Sequence, residues 1–238
     1  MNYRIKRVEQ IGPVRLYLGD CLEIMPTLER SDLCVTDPPY SLTSGGNAEQ
    51  VMGGLFAQSN YDNSGKLMDI VPWHEMSGPI FRALKDDADC YVMANDKNIW
   101  AAQPAFLNAG FDFHNLLDWD KVRATRNRWY LKHKEYVIYL WKGRAKAIND
   151  CGSKQSFQLN AKRVTDHPTE KPVELMAHYI ENSSQPGDVV LDPFMGSGST
   201  MLACVETGRR GVGIELKEEW FEVACERVRE AVEAQVAA

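Results

Sequence analysis

A chain of 238 residues, 44% apolar and 25% charged, is long enough for one α/β domain with a sizeable core and is composed like a globular protein. No apolar run reaches the length of a membrane span, and Met1-Asn2-Tyr3-Arg4 opens no apolar signal segment, so a cytoplasmic protein is expected. The net charge of −6 hides a division: from Lys121 to Arg163 there are twelve Lys/Arg and two acids, a net of +10, which leaves −16 for the rest. Such a separation fits a protein with one anion-binding face and excludes little else. The six cysteines form no Cys-x-x-Cys pair, which points to reduced core thiols and away from disulfides or a metal centre.

Val14–Leu18 predicts a strand that ends at Gly19-Asp20, with a short helix over Cys21–Leu28. Asp20 is then the helix N-cap, an acid at a strand's carboxyl end, or both. Leu33-Cys34-Val35-Thr36 predicts a buried parallel strand stopped by Asp37-Pro38-Pro39-Tyr40. Two prolines cannot continue a ladder, so the backbone leaves the strand stiffly. A carboxylate, a proline carbonyl and an aromatic ring thus gather where open α/β sheets bind ligands. This set suits activation of a planar amine, with Tyr40 as a stacking surface. Residues 41–66, rich in Gly, Ser and Asn, form a long loop that either closes over a target or is a plain insertion.

Helical spacing follows over Trp73–Leu84, a strand over Asp89–Met93, and a helix over Lys97–Asn108 closed by Gly110. Phe113–Trp119 and Glu135–Trp141 predict two strands flanking a basic loop. In it Lys121, Arg123, Arg126, Arg128, Lys132 and Lys134 alternate with aromatics, a pattern suited to phosphates. Trp129 and Tyr130 either pack on sugars and bases or anchor the loop. Residues 143–166 are polar and basic, and too few for an independent recognition domain. Pro172 opens a helix. Val189–Asp192 is a strand that runs into Pro193-Phe194-Met195-Gly196-Ser197-Gly198-Ser199-Thr200, a glycine loop leading to a helix through Glu206. A strand over Gly211–Ile214 ends at Glu215, and an amphipathic helix spans Lys217–Glu233.

No lysine follows the glycines as a P-loop requires, and Met201 stands where a dinucleotide fingerprint needs a small residue. The absence of any Pro-Cys pair disfavours cytosine-C5 methylation and zinc deamination. With Asp-Pro-Pro-Tyr at 37–40 and Asp-Pro-Phe-x-Gly-Ser-Gly-Ser at 192–199, the chain resembles the DNA amino-methyltransferases that modify adenine N6 or cytosine N4. The resemblance covers nearly the whole chain and thins over 41–66 and 143–166. The catalytic motif precedes the cofactor loop, as in the permuted β class of restriction-modification and orphan enzymes from bacteria and phage.

That resemblance implies a class I methyltransferase fold: a Rossmann-like, doubly wound seven-stranded sheet with one antiparallel strand, circularly permuted. It implies S-adenosylmethionine as cofactor, held by Asp20, Thr169, Lys171, Pro172, Asp192, Pro193, Phe194, Gly196, Ser197, Gly198, Ser199, Thr200 and Glu215. Within that set Lys171 offers a counter-charge to the cofactor carboxylate, and Glu215 accepts from the ribose hydroxyls, or is simply a helix N-terminal acid. Asp37, Pro38, Pro39 and Tyr40 form the catalytic turn, acting on a base flipped from double-stranded DNA. Asp at the head of the motif favours adenine N6 over cytosine N4. An RNA or protein-amide methyltransferase and a silent DNA-binding subunit are the competing readings. So short a recognition region points to a homodimer or to a target of few bases; neither a metal nor a membrane partner is expected.

Overall fold

The computed structural model describes residues 5–40, 70–124, 130–161, 164–167 and 169–237. The 41–66 loop and Arg126, Arg128 and Trp129 of the basic loop lie outside the described residues.

The chain opens with a hairpin, β1 (Arg7–Ile11) and β2 (Val14–Leu18), turned at Gly12 with φ 53°. The helix α1 (Cys21–Ile24) and the strand β3 (Ser31–Thr36) follow. Next come α2 (Trp73–Ala83), β4 (Leu84–Ala94), α3 (Ile99–Asn108), β5 (Asp112–Asp120) and β6 (Lys134–Trp141). The remainder is β7 (Ser156–Gln158), α4 (Val173–Ser183), β8 (Val189–Asp192), α5 (Ser199–Glu206), β9 (Arg210–Glu215) and α6 (Glu218–Ala237).

The nine strands of the described residues form one sheet in the order β1-β2-β9-β8-β3-β4-β6-β5-β7. From β2 to β4 neighbours are parallel; β6 runs against both β4 and β5, and β1 against β2. The last two strands of the chain therefore lie between β2 and β3, which is the expected permuted order. The central strands bury both faces, as parallel sheets do. Leu33 and Val35, Tyr91 and Met93, and Val137 and Tyr139 face α4, α5 and α6; Cys34, Cys90, Val92, Ile138 and Leu140 face α2 and α3.

The seven expected strands are joined by two more. Only Ile11 of β1 is buried, so its sequence shows little apolar alternation. Three-residue β7 adds to the far edge beside β5. Pro26 converts the end of the expected Cys21–Leu28 helix into a single 3₁₀ turn, Met25–Thr27. The strand β4 starts at Leu84, directly after α2, because Leu84 pairs with Ser31 before the register shifts and the buried run from Ala88 begins.

Candidate active site

The carboxyl ends of β2, β9, β8 and β3 deliver Gly19 and Asp20, Glu215, Asp192 and Asp37 to one edge of the sheet. They open on a cleft of about 290 Å³, walled by the glycine loop, His167, Thr169, Lys171 and Trp220. Ligand clefts lie at this edge because the chain reverses its winding direction there.

Asp192 acts as a clasp under the loop. Its carboxylate accepts from the hydroxyls of Thr36 (2.7 Å) and Thr200 (2.6 Å) and from Phe194 N (3.0 Å). Burial pushes its pKa up to about 6, against these donors. The acid thereby ties β3, the loop and α5 together. Gly196 (φ 51°) and Gly198 (φ 88°) take left-handed turns around it. A Cβ on Gly196 would stand 3.0 Å from His167 Nε2. Gly198 does not line the cleft: a Cβ there would stand 3.0 Å from the Cβ of Ala224 on α6. Pro193, Phe194, Gly196, Ser197, Ser199 and Thr200 do line it, and the buried Ser199 hydroxyl has no hydrogen-bond partner among the described residues.

Glu215 accepts Gly196 N (3.0 Å) on one oxygen and Lys217 N (2.8 Å) on the other. Each carboxylate oxygen has a second lone pair, so the acid keeps capacity for a ligand while fixing the loop. Burial pushes its pKa up. Asp20 caps α1 through Leu22 N (2.8 Å) and also lines the cleft.

His167 and Trp220, neither of which the sequence reading assigned a role, complete the wall. Their rings meet edge-to-face at 4.6 Å. Burial, with Lys171 nearby, lowers the His167 pKa to about 4, so the imidazole is neutral. A lone His or Trp carries no spacing signal; only the neighbouring Thr169, Lys171 and Pro172 marked the region.

Lys171, on the cleft wall, also reaches the Asp-Pro-Pro-Tyr turn: its buried ammonium is bonded to Asp37 and lies 3.4 Å from Glu135 Oε2. Thr169 lends its carbonyl to the same ammonium (3.2 Å). Pro172 sits at the N-cap of α4, off the cleft wall. Burial raises the Asp37 pKa while Lys171 pulls it down. The Oδ1 atom of Asp37 is buried and has no hydrogen-bond partner among the described residues. Pro39 joins Asp37 on the cleft wall and Pro38 is buried behind it. Tyr40 is 9% exposed, its ring near-parallel to Trp73 at 6.2 Å.

Residues 31–226 match the N6/N4 methyltransferase family of DNA methylases. The chain belongs to that family. A putative methylase of Escherichia coli K12, YubD, is 31% identical over 90% of this chain and 89% of its own. The type II methyltransferase M2.DpnII of Streptococcus pneumoniae is 27% identical over 84% and 83%. The M1.HpyAVI–SAM complex superposes with a TM-score of 0.69 at 26% identity, covering 90% of this chain and 99% of the other.

The basic loop of this DNA methylase is less positive than its composition suggests. Lys121 pairs with Glu135 (3.0 Å), Lys132 with Asp96 (2.8 Å) and Lys134 with Asp118 (2.9 Å). Asp96 and Asp118 come from the acidic remainder of the chain, which a count by segment cannot see. Exposed pairs are weak, so a phosphate can displace that of Lys132, whereas Lys134 and Asp118 are half-buried. Arg123 is exposed, and Tyr130 is 97% exposed, which rules out the core-anchor alternative for that ring.

Proposed function

We propose that this DNA methylase transfers the methyl group of S-adenosylmethionine to the exocyclic N6 amine of an adenine flipped from duplex DNA. The observation that carries the reading is the Asp37 Oδ1 atom: a buried acceptor beside the cleft, at the end of a strand, suited to an N–H that no described residue supplies. Asp at the head of the motif favours adenine over cytosine.

The cleft suits the cofactor. Glu215 keeps lone pairs for the ribose hydroxyls, the Ser199 hydroxyl has no partner among the described residues, and Gly196 lets backbone stand on the wall where a Cβ would crowd His167. Bound there, the sulfonium supplies a methyl already activated for transfer. The remaining difficulty is the nucleophile, whose lone pair is delocalised into the base. Asp37 Oδ1 and the Pro38 carbonyl accept its two hydrogens and turn the lone pair toward the methyl. Lys171 holds the other oxygen of Asp37, which fixes the carboxylate rotamer. Positioning and stabilisation of positive charge growing on nitrogen then supply the rate. Incubation with labelled S-adenosylmethionine and DNA, followed by nucleoside mass spectrometry, tests this: N6-methyladenine is expected, N4-methylcytosine would correct the base, and no labelled nucleoside would defeat the reading.

The basic loop supplies phosphate contacts. Neutralising Arg123, Arg126 and Arg128 together is expected to lower the magnitude of the log–log salt slope of DNA binding by about 2.7, about 0.9 for each contact. An unchanged slope in a salt titration would remove the loop from the interface. Few residues remain to read bases, because β7 is paired into the sheet and Asn149 is bonded to Glu181, Asn182 and Ser184 around the end of α4. A homodimer or a short target therefore follows; a monomer in solution that methylates only a site of six or more defined base pairs would contradict it.

A further inference from the structure

Glu135 lies on β6, far in sequence from the two motifs, and bridges two lysines. Its Oε1 is 3.0 Å from Lys121 Nζ and its Oε2 is 3.4 Å from Lys171 Nζ. Lys171 in turn is bonded to Asp37. Four charges of alternating sign thus run from the base of the basic loop, closed by Lys121 N on the His133 carbonyl, to the catalytic turn. We infer that Glu135 is a positioning residue for methyl transfer, sharing the Lys171 ammonium so that Asp37 is anchored without being neutralised.

A closed pair between Lys171 and Asp37 would hold the acid in place but present a neutral group to the amine. Charge developing on the amine nitrogen would then find no net counter-charge. With Glu135 on the other side of the ammonium, the group around Lys171 carries one net negative charge. The 3.4 Å spacing, with no hydrogen-bond partner for Glu135 Oε2 among the described residues, makes this contact one of field rather than of a closed bond. Lys121, half-buried at the outer end, compensates Glu135 from the solvent side, away from the amine, and limits the cost of burying that carboxylate.

The protonation states agree. Burial pushes Glu135 up, but Lys171 and Lys121 outweigh it and keep the carboxylate charged. Burial disfavours the Lys171 ammonium, yet Asp37 and Glu135 hold it protonated. Asp37 is raised by burial, lowered by Lys171 and raised again by Glu135. The other ionisable groups here are Tyr40, kept neutral by burial, His167, neutral with a pKa of about 4, and Asp192, near 6 through burial against Thr200, Thr36 and Phe194 N.

The inference rests on the proposed role of Asp37, and the sign of a pH shift tests it separately. Transfer needs the Asp37 carboxylate, so the rate falls as pH drops through its pKa. Removing the Glu135 charge removes a raising influence, and the acid limb moves to lower pH. Removing the Lys121 charge leaves Glu135 uncompensated, and the limb moves to higher pH. The experiment is the single-turnover methyl-transfer rate at saturating DNA and S-adenosylmethionine, measured against pH for the wild type, Glu135→Gln, Glu135→Asp and Lys121→Met. Glu135→Gln is expected to lose roughly 10–100-fold in plateau rate, as misplaced catalytic groups do, with its limb displaced downward. Glu135→Asp should return the limb toward the wild-type position, and Lys121→Met should displace it upward. A limb that stays in place in Glu135→Gln, or that moves the same way in Glu135→Gln and Lys121→Met, overturns the inference. If Glu135→Gln does not fold, Lys121→Met alone decides: an unmoved or lowered limb overturns it. Wild-type protein that transfers no methyl at any pH overturns the proposed function and this role with it.

Discussion

Asp37→Ala is expected to lower the single-turnover rate of methyl transfer by roughly 10³-fold, the scale on which removing one preorganised electrostatic group acts, with cofactor affinity close to wild type. The fold should survive the change. Removing one partner of a buried ion pair is usually costly because the other charge is left alone. Here Lys171 keeps Glu135 at 3.4 Å and the Thr169 carbonyl at 3.2 Å. The cofactor loop is tied instead by Glu215 and Asp192, whose partners do not include Asp37. Asp37→Asn keeps the side-chain shape but turns one oxygen into a donor, either against Lys171 or against the incoming amine. It is expected to lose activity nearly as fully. Rapid-quench transfer assays together with calorimetry of cofactor binding check both variants. Turnover within tenfold of wild type in Asp37→Ala would remove the acid from the reaction.

The central sheet was legible in the sequence because its strands are buried on both faces and bounded by turns. Leu33–Thr36 and Val189–Asp192 read as unbroken apolar runs, and each ends in an acid followed by proline. The place of the last strands between the first ones was implied by the resemblance to the permuted class, which the chain order of the two motifs carries. β1 was missed because its solvent face is polar and only Ile11 is buried. Within the site, the motifs located the cleft but could not assign partners. Lys171 stands next to a proline at a helix start, and nothing in that spacing reveals that its ammonium reaches 134 positions back to Asp37. Glu135 was counted only as an acid inside a basic segment. Both roles depend on contacts between β6, β3 and the turn before α4, which no local pattern encodes. The charge count overstated the loop for a related reason, since Asp96 and Asp118 meet Lys132 and Lys134 across the fold.

Gly198→Val is expected to weaken cofactor binding at least tenfold, by a route other than direct contact. Gly198 sits at the N-cap of α5 with φ 88° and ψ 18°, a region that disfavours a β-branched residue. Its Cβ would stand 3.0 Å from Ala224 Cβ and 3.3 Å from Ala224 Cα, the second a backbone atom that cannot rotate away. The loop must therefore lift from α6. Gly198 N donates to the Met195 carbonyl (2.8 Å), and Arg227 on α6 holds the Ser197 carbonyl (2.7 Å), so the lift strains both ties and moves Ser197 and Ser199 on the cleft wall. Left-handed strain costs about 1–3 kcal/mol and overpacking a similar amount, together about 2–6 kcal/mol. A domain of this size loses about 2–4 °C of Tm for each kcal/mol, so a fall of about 4–24 °C should accompany the affinity loss. Gly198→Ala adds one carbon and should fall between valine and wild type in both. Gly187→Ala is the control, since its φ of 89° carries a similar backbone strain while no atom lies within 4 Å of the added Cβ. Calorimetry and thermal unfolding separate the two effects: loss of stability in both proteins with loss of affinity only at position 198 assigns the binding defect to the displaced loop, and unchanged affinity in Gly198→Val would detach this glycine from cofactor binding.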